Sequence, residues 1–303
     1  MGGKIFDVII PYYNKEKYIL RAINSIDTTY VNNIFVIDDH SEKDISKKIN
    51  KKNIIYIRLK KNRGPSFCRN YGAQKSTSKY ILFLDADDYY HSELFKRLYN
   101  EIESYNQPLI ISWKIKKILS KQMDKNEVLI PSEIKDQFFY ISEKLNNHQV
   151  MTSSSFCIHR DYFLSEGGFN EKLRIQEDPE LFCRLSCKTK IIFISNTYSY
   201  YDISTPESLS KINLTRASLP LYVDNLLSYN DEICLKLFKK EFIKYYLLAL
   251  IEKENHYIFL EERYMNNFSL LTRLILKILS FTPSYLFKKL YILFRYAKYN
   301  RTK

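Results

Sequence analysis

The chain has 303 residues, ordinary apolar content and 27% charged residues, so it can bury a sizeable core and is not disordered. Its five scattered cysteines include no CxxC, and only Cys183 and Cys187 sit one helical turn apart; this excludes a zinc ribbon or a disulfide scaffold and predicts reduced thiols. The net charge is +13, and nine Lys or Arg with no Asp or Glu lie between Arg263 and Lys303, so much of the excess is in the tail.

Phe6 to Ile10 (FDVII) reads as a buried strand ended by Pro11. Glu16 to Ile26 has helical spacing, with Tyr18, Ala22 and Ile26 on one stripe. Ile34 to Ile37 and Ile54 to Leu59 are two more strands, the first stopped by Asp38-Asp39. Pro65 to Gln74 is helical, with proline in the first turn where it is tolerated. Tyr80 to Leu84 is a fourth strand ending at Asp85, and Ser92 to Ser104 a helix with Ser92 as N-cap. Further on, Leu109 to Ile118, Ser155 to His159 and Ile191 to Ile194 read as strands, and Pro179 to Cys187 as a helix. Lys116 to Pro131 and Ser153 to Gly168 are expected to contribute loops that shape a pocket. After Thr205 the sequence turns helical and aromatic.

Strands alternating with helices predict an α/β fold with a mostly parallel sheet flanked by helices. In such sheets ligands bind beyond the carboxyl ends of the strands. Three strands run into polar clusters there: Pro11-Tyr12-Tyr13-Asn14, Asp38-Asp39-His40-Ser41 and Asp85-Ala86-Asp87-Asp88. Carboxylates crowded at a strand end repel one another unless a positive charge lies between them. A hard divalent cation, Mn²⁺ or Mg²⁺, would resolve this with oxygen ligands. An acidic turn capping the next helix would produce the same local sequence.

Five ordered blocks resemble inverting glycosyltransferases of family 2, which have the GT-A fold. VIIPYYNKEKYI (Val8 to Ile19) resembles the first strand and its turn, and VIDDHSEKD (Val36 to Asp44) the Asp-Asp-x-Ser block. NRGPSFCRNYGAQKSTSKYILFLDADD (Asn62 to Asp88) resembles the Asn-x-Gly block, the Arg-Asn helix and the metal motif. GGFNE (Gly167 to Glu171) and QEDPELFCRL (Gln176 to Leu185) resemble the acceptor loop and the Glu-Asp motif. The resemblance covers about the first 200 residues.

It implies a GT-A, Rossmann-like catalytic domain over residues 1–205; beyond it, the residues themselves read as a helical extension over 206–262 and a basic amphipathic tail over 263–303. It implies that Asp39 binds a uracil ring framed by Pro11 and Tyr13, and that Arg69 lies near the donor diphosphate. Asp85 and Ala86 would join the donor site, with Asp87, Asp85 and Asp88 as the metal turn. Asp178, beside Glu177, would be the general base. An acceptor hydroxyl needs such a carboxylate within reach to take its proton. Helix N-terminal carboxylates favoured by the macrodipole are the plainer reading of Glu177-Asp178.

One departure concerns the metal. Many family members carry a histidine in a Tyr-Arg-x-His context after the last strand. The matching stretch, Tyr198 to Ser210, contains neither histidine nor arginine. Asp202 or water would then substitute, while His91 and His159 read as ordinary histidines.

In the tail, Leu271, Leu274, Ile275 and Ile278, and after Pro283 Leu286, Leu290, Leu293, Phe294 and Ala297, form two basic amphipathic helices. They either pack on the protein or attach it to an anionic membrane leaflet. No run of about 18 apolar residues occurs and the first apolar stretch is too short for a signal peptide, so a cytoplasmic location is expected, peripheral on the inner membrane if the tail binds.

The expected activity is metal-dependent transfer from a UDP-sugar to a saccharide hydroxyl in surface polysaccharide, O-antigen, capsule or lipooligosaccharide synthesis, on a lipid-linked acceptor. A nucleotidyltransferase on a similar sheet, or a catalytically degenerate nucleotide-sugar or glycan binder, is the alternative. The absence of GxGxxG after the first strand disfavours a dehydrogenase, and the tail's interspersed aliphatic faces disfavour nucleic acid.

Overall fold

The structure is a computed structural model that describes residues 3–49, 52–118, 128–173, 175–202, 219–252 and 263–281. The chain divides into two compact units, Met1–Ser210 and Lys211–Lys303.

The first unit is organised by one sheet. A strand covered on both faces must be apolar along nearly its whole length, and strand β1 (Phe6–Tyr12) meets this: Phe6, Val8, Ile9, Ile10 and Tyr12 are all fully buried. It continues two residues past the expected stop, because Pro11 stays in register with Ile37 and the Tyr12 carbonyl accepts from the Asp39 amide at 2.8 Å. Strand β2 (Val31–Asp38) lies parallel to β1 on one side, followed by β3 (Ile54–Arg58); β4 (Tyr80–Phe83) lies parallel on the other side.

Between these strands run helix α1 (Ile19–Asn24), shorter than its periodicity suggested, and α2 (Pro65–Lys75). Gly72 allows α2 to approach β1 closely, since a Cβ there would lie 2.4 Å from Ile9 Cγ2. Short strand β5 (Tyr89–Tyr90) and helix α3 (Leu94–Ser104) follow. Ser92 is not the cap: α3 begins two residues later behind Glu93, with no capping side chain.

The rest of the sheet is mixed. Strands β6 (Ile110–Ile118), β7 (Glu133–Lys135), β8 (Phe156–His159) and β9 (Ile191–Asp202) complete the order β3-β2-β1-β4-β8-β6-β9-β5, with β7 paired to β9. Strand β8 is antiparallel to both β4 and β6, whereas β6 and β9 are parallel. Helices α4 (Phe139–Leu145), α5 (Arg160–Ser165) and α6 (Glu177–Ser186) fill the connections. The stretch from Ser153 to Gly168 is therefore not an open loop. It holds a 3₁₀ turn (Ser153–Ser155), β8 and α5. Of Lys116 to Pro131, the first three residues end β6, and 119–127 lie outside the described residues. None of the five cysteines is joined in a disulfide.

The second unit is helical and aromatic, as expected. It contains α7 (Leu221–Asn225), α8 (Glu232–Glu252) and α9 (Leu270–Ser280). Phe242 anchors it, with ring centroids 5.0 Å from Phe268 and 5.8 Å from both Phe238 and Tyr264. The second amphipathic repeat, Leu286 to Ala297, lies outside the described residues.

Candidate active site

The parallel half of the sheet delivers its polar strand ends to one edge, and backbone hydrogen bonds fix each cluster there. After β1, Asn14 takes φ +49°, its amide donates to Ser41 Oγ at 3.0 Å, and its side-chain oxygen accepts from the Glu42 amide at 2.9 Å. These bonds tie the first cluster to the second.

After β2, Asp39 is almost fully buried. One of its carboxylate oxygens accepts from the Arg63 amide at 2.6 Å and the other from the Gly64 amide at 2.8 Å. Gly64 sits at φ +90°, a conformation open to glycine, at the N-cap of α2. Asp39 thus holds the α2 approach in place. Tyr13 is exposed beside this turn, and Pro11 is half-buried.

After β4 come the three aspartates, each with a different environment. Asp85 is the most open and pairs with Arg69 Nη2 at 2.6 Å. Ala86 is buried beneath the turn. Asp87 pairs with Lys15 Nζ at 3.1 Å. Burial pushes the Asp87 carboxyl up, Asp85 adds to this by repulsion, and Lys15 opposes both. Asp88 is buried: Ser154 Oγ donates to its Oδ2 at 2.6 Å, while its Oδ1 has no hydrogen-bond partner among the described residues. Burial and the charge of Asp85 hold the Asp88 carboxyl well above the ordinary carboxylate range.

The Glu-Asp pair opens α6. Gln176 precedes it at φ +65°, turning the chain so that Glu177 and Asp178 face the aspartate turn. Ser153 grips Asp178 twice, its amide donating at 2.9 Å and its hydroxyl at 2.5 Å. Burial raises the Asp178 carboxyl, Arg69 lowers it and Asp85 raises it, with a net upward shift. Glu177 is likewise raised, first by burial and then by Asp178.

Arg69 joins the two acidic groups. Its side chain is 4% exposed; Nη2 contacts Asp85 and Nη1 lies 3.4 Å from Glu177 Oε1. Burial works against its charge, but Asp85, Asp178 and Glu177 outweigh burial and keep it protonated. Its Nε is buried without a hydrogen-bond partner. One residue further on, Asn70 closes the floor. Its amide nitrogen donates to the Phe169 carbonyl at 2.8 Å, and its oxygen accepts from the Phe169 amide at 2.9 Å. This locks the Gly167 to Glu171 loop against α2.

Asp202 does reach the acidic turn, but through a cation. Arg21 Nη1 donates to Asp202 Oδ2 at 2.6 Å, and Nη2 donates to the Asp87 carbonyl at 2.5 Å. His91 stands apart, its amide bonded to the Tyr198 carbonyl. His159 pairs with Tyr80 across β8 and β4.

The donor set suits a hard divalent cation in chemistry and charge. It has three carboxylates, two of them raised, and one buried oxygen lacking any partner among the described residues. Among the described residues, no three His, Cys, Asp or Glu side chains already converge as a metal cage. The expected ligands Asp85 and Asp87 face Arg69 and Lys15 instead.

The model of "Glycosyl transferase family 2" matches residues 7–166, a span that holds the carboxyl ends of β1, β2 and β4. The chain belongs to glycosyl transferase family 2. It is 26% identical over 209 residues to the poly(ribitol-phosphate) beta-N-acetylglucosaminyltransferase TarS of Staphylococcus aureus, covering 65% of this chain and 35% of that protein. It is 26% identical over 289 residues to the minor teichoic acid biosynthesis protein GgaB of Bacillus subtilis, covering 92% of this chain and 30% of that protein. The chain thus spans about a third of the length of these relatives. The crystal structure of S. aureus TarS 1-349 in complex with UDP-GlcNAc superposes with a TM-score of 0.57 at 20% identity, over 91% of this chain and 79% of that one. This likeness shows that the family 2 chain has the GT-A fold.

Within this family 2 site, the motifs did not reveal Lys15, Arg21, Ser153 or Ser154. Lys15 and Arg21 follow the first turn as ordinary helix-region cations. The serines belong to a polar run whose partners, Asp178 and Asp88, lie 25 and 66 positions away in the chain.

Proposed function

We propose that this glycosyltransferase is a metal-dependent, inverting enzyme that moves a sugar from a UDP-sugar to an acceptor hydroxyl in bacterial surface-polymer synthesis. The observation that carries this reading is Arg69, which binds Asp85 at the end of β4 and Glu177 at the start of α6 in one buried charge cluster. Arg69 joins the end of β4 to the start of α6, which supports reading them as the donor turn and the base beside it.

Asp178 would take the proton of the acceptor hydroxyl as the oxygen attacks the anomeric carbon. Its raised carboxyl makes it a stronger base than an ordinary aspartate while Ser153 holds its orientation. Attack opposite the leaving nucleotide breaks the bond from that carbon to the diphosphate oxygen and inverts the centre. A divalent cation held by Asp87 and Asp85, with Asp88 behind them, would stabilise charge on the departing diphosphate. Pro11, Tyr13 and Asp39 would receive the base of the donor. A carboxylate such as that of Asp39 is the kind of acceptor a ring N–H requires.

The names of TarS and GgaB favour an N-acetylhexosaminyl donor and a surface polymer of the teichoic acid class as acceptor. A lipid-linked form of that acceptor would place the enzyme in the cytoplasm, at the inner face of the membrane. Residues 1–205 would form the catalytic domain.

A second reading, nucleotide-sugar binding without turnover, is favoured by the internal cations Lys15 and Arg69, which already face Asp87 and Asp85. A panel of UDP-sugars with Mn²⁺ separates the two. The enzyme reading expects protection from thermal unfolding by one UDP-sugar only when Mn²⁺ is present, loss of that protection in Asp87→Asn, and release of UDP with the acceptor. Protection independent of Mn²⁺, without UDP release, would leave the binder.

A further inference from the structure

An exposed leucine on a helix is unremarkable, but several on one face are not. Helix α9 exposes Leu270 (72%), Leu271 (68%), Leu274 (51%) and Ile275 (48%), together with Ile278 and, just past its end, Phe281 (80%). At 3.6 residues per turn these six fall within a sector of about 140°. The opposite side is anchored: Leu276 is buried, and the Tyr246 hydroxyl donates to its carbonyl at 3.2 Å. The apolar face is therefore held outward by the packing behind it. Ser269 caps the helix through the Thr272 amide, and Arg273 donates to the Phe268 and Asn266 carbonyls, so the first turn is fixed as well.

The charge along this segment of the sequence has one sign. Lys277 lies exposed along the edge of the apolar face. Between Arg263 and Lys303 there are nine Lys or Arg and no Asp or Glu. Arg263 pairs with Asp224, and the rest of that segment contributes no internal acid to neutralise the others. A water-soluble partner with an apolar groove would match the leucines but would have no need of this excess. A surface that is apolar just beneath an anionic layer matches both.

We propose that the apolar face of α9 docks flat on an anionic lipid bilayer, with its large aliphatic residues among the acyl chains near the headgroups and the basic residues against the lipid phosphates. The helix has eleven residues. At about 1.5 Å each it is roughly 16 Å long, about half the hydrocarbon thickness of a bilayer, so it lies in the interface. No helix among the described residues is long and apolar enough to cross a membrane. Docking needs neither donor, metal nor turnover, so its failure leaves the transferase reading untouched, and the reverse holds too.

The test is flotation of the full chain with vesicles of phosphatidylcholine alone or mixed with phosphatidylglycerol. Binding to the mixed vesicles is expected to exceed binding to phosphatidylcholine by about tenfold or more, and to weaken as salt is raised. The double substitution Leu274→Gln and Phe281→Gln should lower binding to mixed vesicles by about tenfold or more, from the loss of buried apolar area. Both positions are exposed, so the thermal unfolding midpoint should stay unchanged and show an intact fold. Lys277→Glu should weaken binding to the mixed vesicles alone. Equal binding by wild type and the double variant overturns the proposal, as does wild type that ignores anionic vesicles. A dimer in light scattering that dissociates in the double variant would assign the face to a second copy and also overturn it.

Discussion

Arg21 spans two residues that meet only in the fold, binding the Asp202 carboxylate at 2.6 Å and the Asp87 carbonyl at 2.5 Å. Its guanidinium also lies 4.8 Å from the Tyr89 ring. The end of β9 is thereby tied to the acidic turn after β4 by a cation. Asp202 is buried and Arg21 partly so. Asp202→Ala should cost about 2 kcal/mol in urea unfolding, below the roughly 3–5 kcal/mol of a fully buried pair. The cost should largely disappear in an Arg21→Met background. Additive losses in that double-mutant cycle would show that the two residues do not act as a pair.

Asp178→Asn removes the candidate base and preserves its shape. Donor binding measured by calorimetry should be unchanged, while kcat falls by about 10² to 10⁴. In the wild type the base must be ionised. Because burial raises the Asp178 carboxyl above the ordinary 3.8, kcat should rise with pH through a value higher than that, and the limb should vanish in the variant. Retained turnover in Asp178→Asn would move the base elsewhere.

The carboxyl of Asp88 is raised in the fold, so the native state binds its proton more tightly than the unfolded chain does. Its contribution to stability is fully present below the ordinary value of 3.8 and is lost as pH climbs through the raised one. Asp88→Asn removes the ionisation and still accepts from Ser154. It should be more stable than wild type at neutral pH by on the order of 1 kcal/mol. The advantage should shrink to nothing as the pH approaches 3.8. Denaturant unfolding across that range checks the sign.

Two adjacent glycines give an internal comparison. Gly167 and Gly168 have φ +81° and +64°, so alanine is strained at either. A Cβ at Gly167 meets nothing within 4 Å, whereas one at Gly168 would lie 2.4 Å from Asn70 Oδ1. Both substitutions should cost about 1–2 kcal/mol for the left-handed backbone. Gly168→Ala should cost more, because Asn70 must release Phe169. Equal midpoints for the two variants would argue against the Asn70 clamp.

Much of this protein can be read along the chain. The near-continuous apolar runs of β1, β2 and β4 are strands because both faces of a central parallel sheet are covered, and the aspartates follow because a strand end is where the chain leaves that cover. The five ordered blocks placed Asp39, Arg69, Asp85, Asp87 and Asp178 in one family. The reading was weaker where tertiary pairing overrides local signals. Pro11 did not end β1, because pairing with β2 on one side carries the strand on to Tyr12. Ser92 did not cap α3. Tyr89–Tyr90 became a strand because β9 lies antiparallel to it.

The amino-acid sequence by itself determined the family, the α/β order of the first unit, and which carboxylates are the candidates for its chemistry. Those features depend on residue type and spacing along one segment at a time. Only the tertiary structure decided which charges those carboxylates meet. The pairs of Lys15 with Asp87, Arg21 with Asp202 and Arg69 with Asp85 and Glu177 join positions 16 to 181 residues apart. No local period encodes such partners; the crossing of strands and helices brings them within a few ångströms, where opposite charges attract strongly.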